Sequence, residues 1–256
     1  MSHSSKLILW VFGLSTIAAF LSFSPHDFLG KSYFVASGVC HRLPQHSLFF
    51  GEKQSPLCAR CTGTYLGLLA AFLFLALRRR LSSGLFPPLG LSAVLAIFVV
   101  MWGIDGLNSF VDFWRGKPLL YPPSQELRLI TGVLNGLAWG FLFVPFFNSL
   151  VLKNPAPCRS LENFGELVLT LLVGIGFAVI VRTEWPFVLY PLAFLSLAGP
   201  LILLGAINTL LIQLAFNFYP DGIEKGGEII PLFLAGIGAG LLEIFALNLL
   251  RAATGL

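Results

Sequence analysis

The sequence predicts an all-α, polytopic transmembrane bundle of about seven helices, within a range of six to eight. Three observations carry this. Of 256 residues, 56% are hydrophobic and only 11% charged, whereas an ordinary soluble domain is about 25% charged. The mean hydropathy is +0.85. The apolar residues also fall into long runs, and a helix needs about 20 of them to cross a bilayer core of about 30 Å. Disorder is excluded because disordered chains are poor in apolar residues and rich in charge. A soluble core of this size could not hide so much apolar surface.

The first run, Leu7 to about Phe23, follows Lys6. It has the outline of a signal peptide. No A-x-A-like cleavage site follows, however, and Pro25 stands where a mature chain would begin, so a retained helix is expected. The second span begins at Cys61 or Thr62 and ends at Arg78-Arg79-Arg80. The third follows Pro87-Pro88 and runs to about Gly103. A polar loop with Trp114, Arg115, Lys117 and Tyr121 leads to the fourth, about Leu127 to Leu152, and the fifth covers about Leu167 to Val181. Phe187 to Phe216 is too long for one upright span. Pro191 and Pro200 make it either an interfacial turn followed by a span or a kinked, tilted helix. Ile229 to Leu250 is the last span. One integral membrane domain over 1–256 is expected, with an extramembrane Cys/His loop at 24–61, helices two to four within 61–152 and C-terminal helices within 165–256.

The net charge of +4 does not point to nucleic acid. Three of the basic residues form the Arg78 run beside an apolar stretch, which is the ordinary cytoplasmic flank of a spanning helix. The expected partner is membrane lipid, with a small-molecule or lipid substrate unspecified and the oligomeric state open. Counting crossings places the 30–60 loop, Asp105–Arg128 and Arg182–Trp185 on one membrane face, here face A. The Arg78 run, Cys158 and Asp221–Glu228 fall on face B. Lys6 and the Arg78 run put face B in the cytoplasm and the Cys/His loop outside, although face A carries as many Lys and Arg residues. A prokaryotic plasma membrane is the expected location.

Chemistry concentrates in two places. The first is Cys40-His41-Arg42-x-Pro44-x-His46 followed by Cys58-Ala59-Arg60-Cys61-Thr62-Gly63. Cys-x-x-Cys lets two thiolates reach one tetrahedral ion; Cys40 offers a third soft ligand, and His41, or His46 in its place, a fourth. Zinc, or another thiophilic divalent metal, is the expected cofactor. A c-type haem is excluded because Thr62, not His, follows the second Cys. A thiol–disulfide exchanger using Cys58 and Cys61 is the alternative, since Arg60 and a following helix N-terminus favour a thiolate. The bland reading is three inert, partly buried cysteines. Three thiols on one face leave an odd one in any intramolecular disulfide scheme, which favours metal.

The second place is intramembrane and polar. Asp105, Gly106 and Asn108 close the third helix, and Arg128, Thr131, Gly132 and Asn135 open the fourth at helical spacing. Ionisable groups inside spans face the bundle interior and have partners. Asp105 with Arg128 is the expected pair, either as a structural link or as part of a polar cavity lined by Asn108, Thr131, Asn135 and Tyr65. Asp105, Arg128 and Arg60 are the candidate catalytic residues. Glu243, with Asn208 and Gln213 as possible partners, completes the polar path that a small-solute or lipid transporter would use, a third reading beside metal and redox chemistry. The G-x-x-x-G steps at Gly63–Gly67, Gly132–Gly136–Gly140 and Gly236–Gly240 read as close helix packing.

At Cys40-His41-Arg42, Ser47, Gly51 and Pro56-Leu57-Cys58-Ala59-Arg60-Cys61-Thr62-Gly63-x-Tyr65-x-Gly67, the chain resembles a family of small, uncharacterised predicted prokaryotic membrane proteins with a domain of unknown function. Asp105-Gly106, Arg128, Thr131-Gly132 and Gly136 are similar to the same family. The resemblance spans roughly residues 30–150. It implies a membrane fold and singles out these residues, and it implies no reaction.

Overall fold

The computed structural model describes residues 3–23, 25–224 and 226–254. Among them are eight α-helices: α1 (His3–Phe23), α2 (Phe28–Val39), α3 (Ala59–Leu77), α4 (Leu89–Arg115), α5 (Gln125–Val151), α6 (Phe164–Arg182), α7 (Leu189–Phe216) and α8 (Ile229–Thr254). All except the 12-residue α2 are long and apolar enough to cross a membrane, seven in all. Four short strands pair two by two: β1 (Ser47–Phe50) antiparallel with β2 (Lys53–Cys58), and β3 (Ser83–Leu85) parallel with β4 (Ala156–Arg159). The protein is an all-α membrane bundle, in agreement with its composition.

Two elements differ from the sequence reading, and for a third the structure selects between its alternatives. The stretch 24–61 carries α2, whose N-terminus is capped by Asp27 accepting from the Gly30 amide at 2.8 Å, and the β1–β2 hairpin, turned at Gly51 with φ +65°. The third span does not stop near Gly103. α4 continues to Arg115 and ends where Gly116 adopts φ +64°. Asp105 and Asn108 were read as helix-ending polar residues, but both are fully buried and partnered, so the helix passes through them. The long stretch after Trp185 is a single 3-10 turn, Pro186–Val188, and one helix, α7. Its 28 residues would span about 42 Å, more than a bilayer core, so tilt or the internal Pro200 must accommodate the excess.

Two compact units emerge. One comprises Met1–His41, Phe147–Pro155 and Ala193–Leu256; the other, Arg42–Phe146 and Ala156–Leu192. In the first, α1 lies so close along α8 that a Cβ on Gly13 would stand 2.6 Å from the Leu234 backbone. Gly236 meets the Gly205 carbonyl of α7 in the same way. Arg251 of α8 closes the C-terminus of α2 by donating to the carbonyls of Ser37 and Cys40, the latter at 2.8 Å. Glu243 is exposed and accepts from Asn208 Nδ2 at 3.2 Å, while Gln213 turns to the Tyr219 carbonyl.

The second unit is built on the contact between α3 and α5. A Cβ on Gly63 or Gly67 would run into the carbonyls of Leu129 or Val133, and one on Gly132 or Gly136 into those of Arg60 or Thr64. Lipid gives apolar helices no hydrophobic reason to associate, so backbone approach through glycine supplies the van der Waals contact instead. The expected G-x-x-x-G packing is therefore present on both helices, facing each other. α6 packs against α3 as well, and its Gly174 admits Val133 of α5.

Candidate metal centre and adjoining charge pair

β2 runs directly into α3, and Cys58 is the last residue of the strand and the N-cap of the helix. Its position is thus fixed from both sides, by the Ser47–Cys58 pairing of the hairpin and by the first turn of α3. Cys61 follows in that first turn. Upstream, Arg42 adopts φ +50° and its carbonyl accepts from Gln54 Nε2 at 2.8 Å, which ties the segment after Cys40 to β2. The Sγ atoms of Cys40, Cys58 and Cys61 all lie within 4.8 Å of one another. Cys40 and Cys58 are buried and Cys61 is half-buried. Cys158, on β4, is outside the group.

The donor set suits a soft ion. A tetrahedral centre with bonds of about 2.3 Å holds its sulfurs about 3.8 Å apart, inside the observed ceiling. Among the described residues no histidine nitrogen belongs to the group. His41 is exposed, and His46 is buried at the end of a 3-10 turn, Pro44–His46.

The polar cluster centres on Asp105, which is fully buried. Arg60 reaches one oxygen of it with two donors, Nε at 2.9 Å and Nη2 at 2.6 Å from Oδ2. The same Nη2 donates to the Asp105 carbonyl at 3.0 Å and to Ser109 Oγ at 2.8 Å. Tyr121 donates to Oδ1 at 3.2 Å, and Thr131 donates to Oδ2 at 3.4 Å. A buried carboxylate is tolerable only when its lone pairs are used, and here both oxygens are. Burial first, and then the neighbouring Asp105 carboxylate, push the Tyr121 phenol above its ordinary pKa, so it remains a donor.

The expected partner of Asp105 was Arg128; the structure corrects this to Arg60. The reason is helix register: α3 begins at Ala59, before Cys61, so Arg60 lies in its first turn and points at α4 rather than standing in a loop. Arg128, also buried, donates instead to the Gln45 carbonyl at 3.3 Å and to Ser109 Oγ at 3.4 Å. Its guanidinium is within electrostatic reach of both Cys58 and Asp105, which links the two clusters.

The remaining expected residues separate. Asn108 does not face Asp105. It holds the loop after α4, accepting from the Leu119 and Leu120 amides at 3.0 and 2.8 Å and donating to the Tyr121 carbonyl at 2.8 Å. Asn135 is buried one turn beyond Thr131 with its Oδ1 unpartnered. Tyr65 is buried on α3. Sequence reasoning passed over Ser109 and Tyr121 as cluster members. Ser109 was findable, since it stands one helical turn after Asp105; Tyr121 comes from a loop whose path no periodicity encodes.

The family profile described as predicted membrane protein (DUF2085) matches residues 40–142, a segment that holds both clusters. An uncharacterized protein of Methanocaldococcus jannaschii is 31% identical over 122 residues, covering 47% of this chain and 71% of its own length. An uncharacterized protein of Methanothermobacter thermautotrophicus is 30% identical over 104 residues, 39% of this chain and 89% of its own. No solved structure matches the chain. The chain belongs to the DUF2085 family of predicted membrane proteins.

Proposed function

We propose that this membrane protein carries a thiolate-ligated metal centre, of zinc or another thiophilic divalent ion, held by Cys40, Cys58 and Cys61 beside the Arg60–Asp105 pair. The observation behind the proposal is the mutual approach of three thiols to within 4.8 Å. A disulfide would use two and strand the third, whereas one soft ion uses all three. The ion would tie the β1–β2 hairpin to the start of α3, and when bound it would supply Lewis acidity at that point. Arg60, held by Asp105, keeps its charge away from the sulfurs, and Arg128 offsets the charge of Cys58. Asp105, Arg128 and Arg60 are the side chains that would orient a small-molecule or lipid substrate arriving there. Lys6 and the Arg78 run favour a cytoplasmic location for the ends that carry them, with the thiols on the outer face of a prokaryotic plasma membrane.

Elemental analysis of the purified protein tests the centre. One ion per chain is expected in the wild type, and about none after Cys58→Ser. A metal-free wild type whose Cys58 and Cys61 are recovered as a disulfide by alkylation trapping would replace this reading with the thiol–disulfide exchanger.

A further inference from the structure

The first unit holds an apolar cavity of about 390 Å³ where α1, α2 and α8 meet. Its wall includes Thr16, Ala19 and Phe20 of α1, Phe34 of α2, and Leu241 and Phe245 of α8. The rings of Phe20 and Phe34 stand 6.0 Å apart. Thr16 turns its hydroxyl back to the carbonyls of Phe12 and Gly13, at 2.9 Å each, so its polar atom is used within α1. The volume falls within the range of small-molecule sites, about 300–1,000 Å³, but such sites carry a few polar groups that orient the ligand. This wall suits hydrocarbon. Leu242 and Phe245, both on the wall, are 51% and 52% exposed. The cavity therefore opens on the outer surface of two helices long and apolar enough to span, where acyl chains run.

Size chooses among apolar occupants. One turn of a helix with its side chains, about 10 Å across and 5.4 Å long, already fills about 420 Å³. A single flexible chain fits instead.

Charge at the end of α1 says what such a chain is attached to. α1 and α8 run side by side in one direction, since Lys6 near the start of α1 pairs with Glu228 just before α8 at 3.1 Å. The 21 residues of α1 span about 32 Å, close to a bilayer core, so its last turn lies near headgroup level. Lys31 of α2 is held at that turn. Its Nζ donates to the Leu21 carbonyl at 2.8 Å and stands 5.7 Å from the centre of the Phe20 ring. An ammonium has three N–H groups, so two remain for an anion beside the cavity wall. Arg251 in the last turn of α8 adds a second positive charge at this end, against Asp27, whose carboxylate accepts from the Gly30 amide.

We infer that the cavity holds one acyl chain of an anionic phospholipid whose phosphate sits on Lys31. The lipid would join α2, at 12 residues too short to cross a membrane, to the α1–α8 pair.

Native mass spectrometry of the purified, delipidated full chain in detergent tests this, with palmitoyl-oleoyl phosphatidylglycerol and palmitoyl-oleoyl phosphatidylcholine added separately. The wild type should take up one phosphatidylglycerol per chain, about fivefold more tightly than phosphatidylcholine, the discrimination expected of one lysine near an anionic headgroup. Ala19→Trp and Leu242→Trp each fill the cavity from its open side. Both should abolish uptake of either lipid while leaving the thermal unfolding midpoint at the wild-type value. Lys31→Gln, which keeps an N–H for the Leu21 carbonyl, should bind the two lipids equally. Unchanged uptake in both tryptophan variants would overturn the cavity as the site. An undiminished preference in Lys31→Gln would overturn the headgroup contact. A wild type that takes up neither lipid overturns the inference outright, and dimers in detergent that Ala19→Trp dissociates would then give the cavity to a second copy of this chain.

Discussion

The two ends of α3 each carry an Arg–carboxylate cluster, and they are built differently. At the start, Arg60 and Asp105 lie inside the bundle, their side chains 12% and 0% exposed. At the end, Arg78 and Arg80 converge on Glu166, with Arg80 also reaching Glu162 at 2.9 Å. There Arg78 is 53% and Glu162 47% exposed. Glu166 also belongs to its own helix start: it accepts from the Glu162 amide at 2.9 Å, while Asn163 Oδ1 accepts from the Glu166 amide at 3.0 Å. That is a capping arrangement with charges added, and a cap explains it fully. The Asp105 cluster caps nothing. It sits within α4, ten residues before its last, draws on four elements of the unit, and adjoins three thiols. Two clusters of similar composition therefore have different standing: one anchors a helix end, and the other buries its charges within the unit.

Asp105→Asn is the sharpest way to break that contrast. Removing one partner of a buried ion pair strands the other charge, at a cost of about 3–5 kcal/mol. Thermal unfolding in detergent should show it, and cobalt or zinc retention should fall as Arg60 is released toward the thiols. Glu166→Gln should cost less, about 1–3 kcal/mol, because Arg78 already meets solvent and the amide can still accept from Glu162. Metal content should stay at the wild-type level. Equal losses of stability from the two substitutions, with equal metal content, would remove the distinction between the clusters.

The packing that holds both ends of α3 in place gives the next effect. Gly63→Val puts a branched side chain against the Leu129 carbonyl. Overpacking of this kind costs about 1–3 kcal/mol. It should disturb the near end more than the far one, so metal retention should drop before the Arg80–Glu166 contact is lost. Gly176, whose added Cβ would meet nothing within 4 Å, supplies the control: Gly176→Ala should be neutral or slightly stabilising, since alanine is the better helix former.

How much of this was legible follows from what each feature depends on. Spans are written in composition and length, because a bilayer demands about 20 apolar residues whatever surrounds them. Gly63, Gly67, Gly132 and Gly136 announced close packing for the same reason: spacing alone puts them on one helix face. The grouping of Cys58 with Cys61 lies in their local spacing. The partner of Asp105 was not legible. Arg60 and Arg128 are both near the right membrane face, and choosing between them needed the start of α3, which shifts by two or three residues between pattern and structure. The path of the 116–124 loop was hidden too, since Asn108 organises it through backbone amides that carry no side-chain signature.

That loop also gives the smallest test of the contrast. Tyr121 supplies one hydrogen bond to Asp105 from outside the helices. Tyr121→Phe should cost about 0.5–1.5 kcal/mol at neutral pH, well below Asp105→Asn. Its pH dependence carries more information than its size. The folded state holds the phenolic proton more tightly than the unfolded chain, because burial and then Asp105 raise its pKa above 10.0. The folded state therefore binds more protons in that range, and the stability contributed by Tyr121 is complete below about pH 10. It is lost as the pH rises from there through the folded value. Tyr219, also raised by burial, titrates in the same window, so the wild-type profile alone is ambiguous. The difference between wild type and Tyr121→Phe isolates the residue. It should shrink steadily above pH 10, whereas a difference that stays flat to pH 11 would mean that Tyr121 packs beside Asp105 without donating to it.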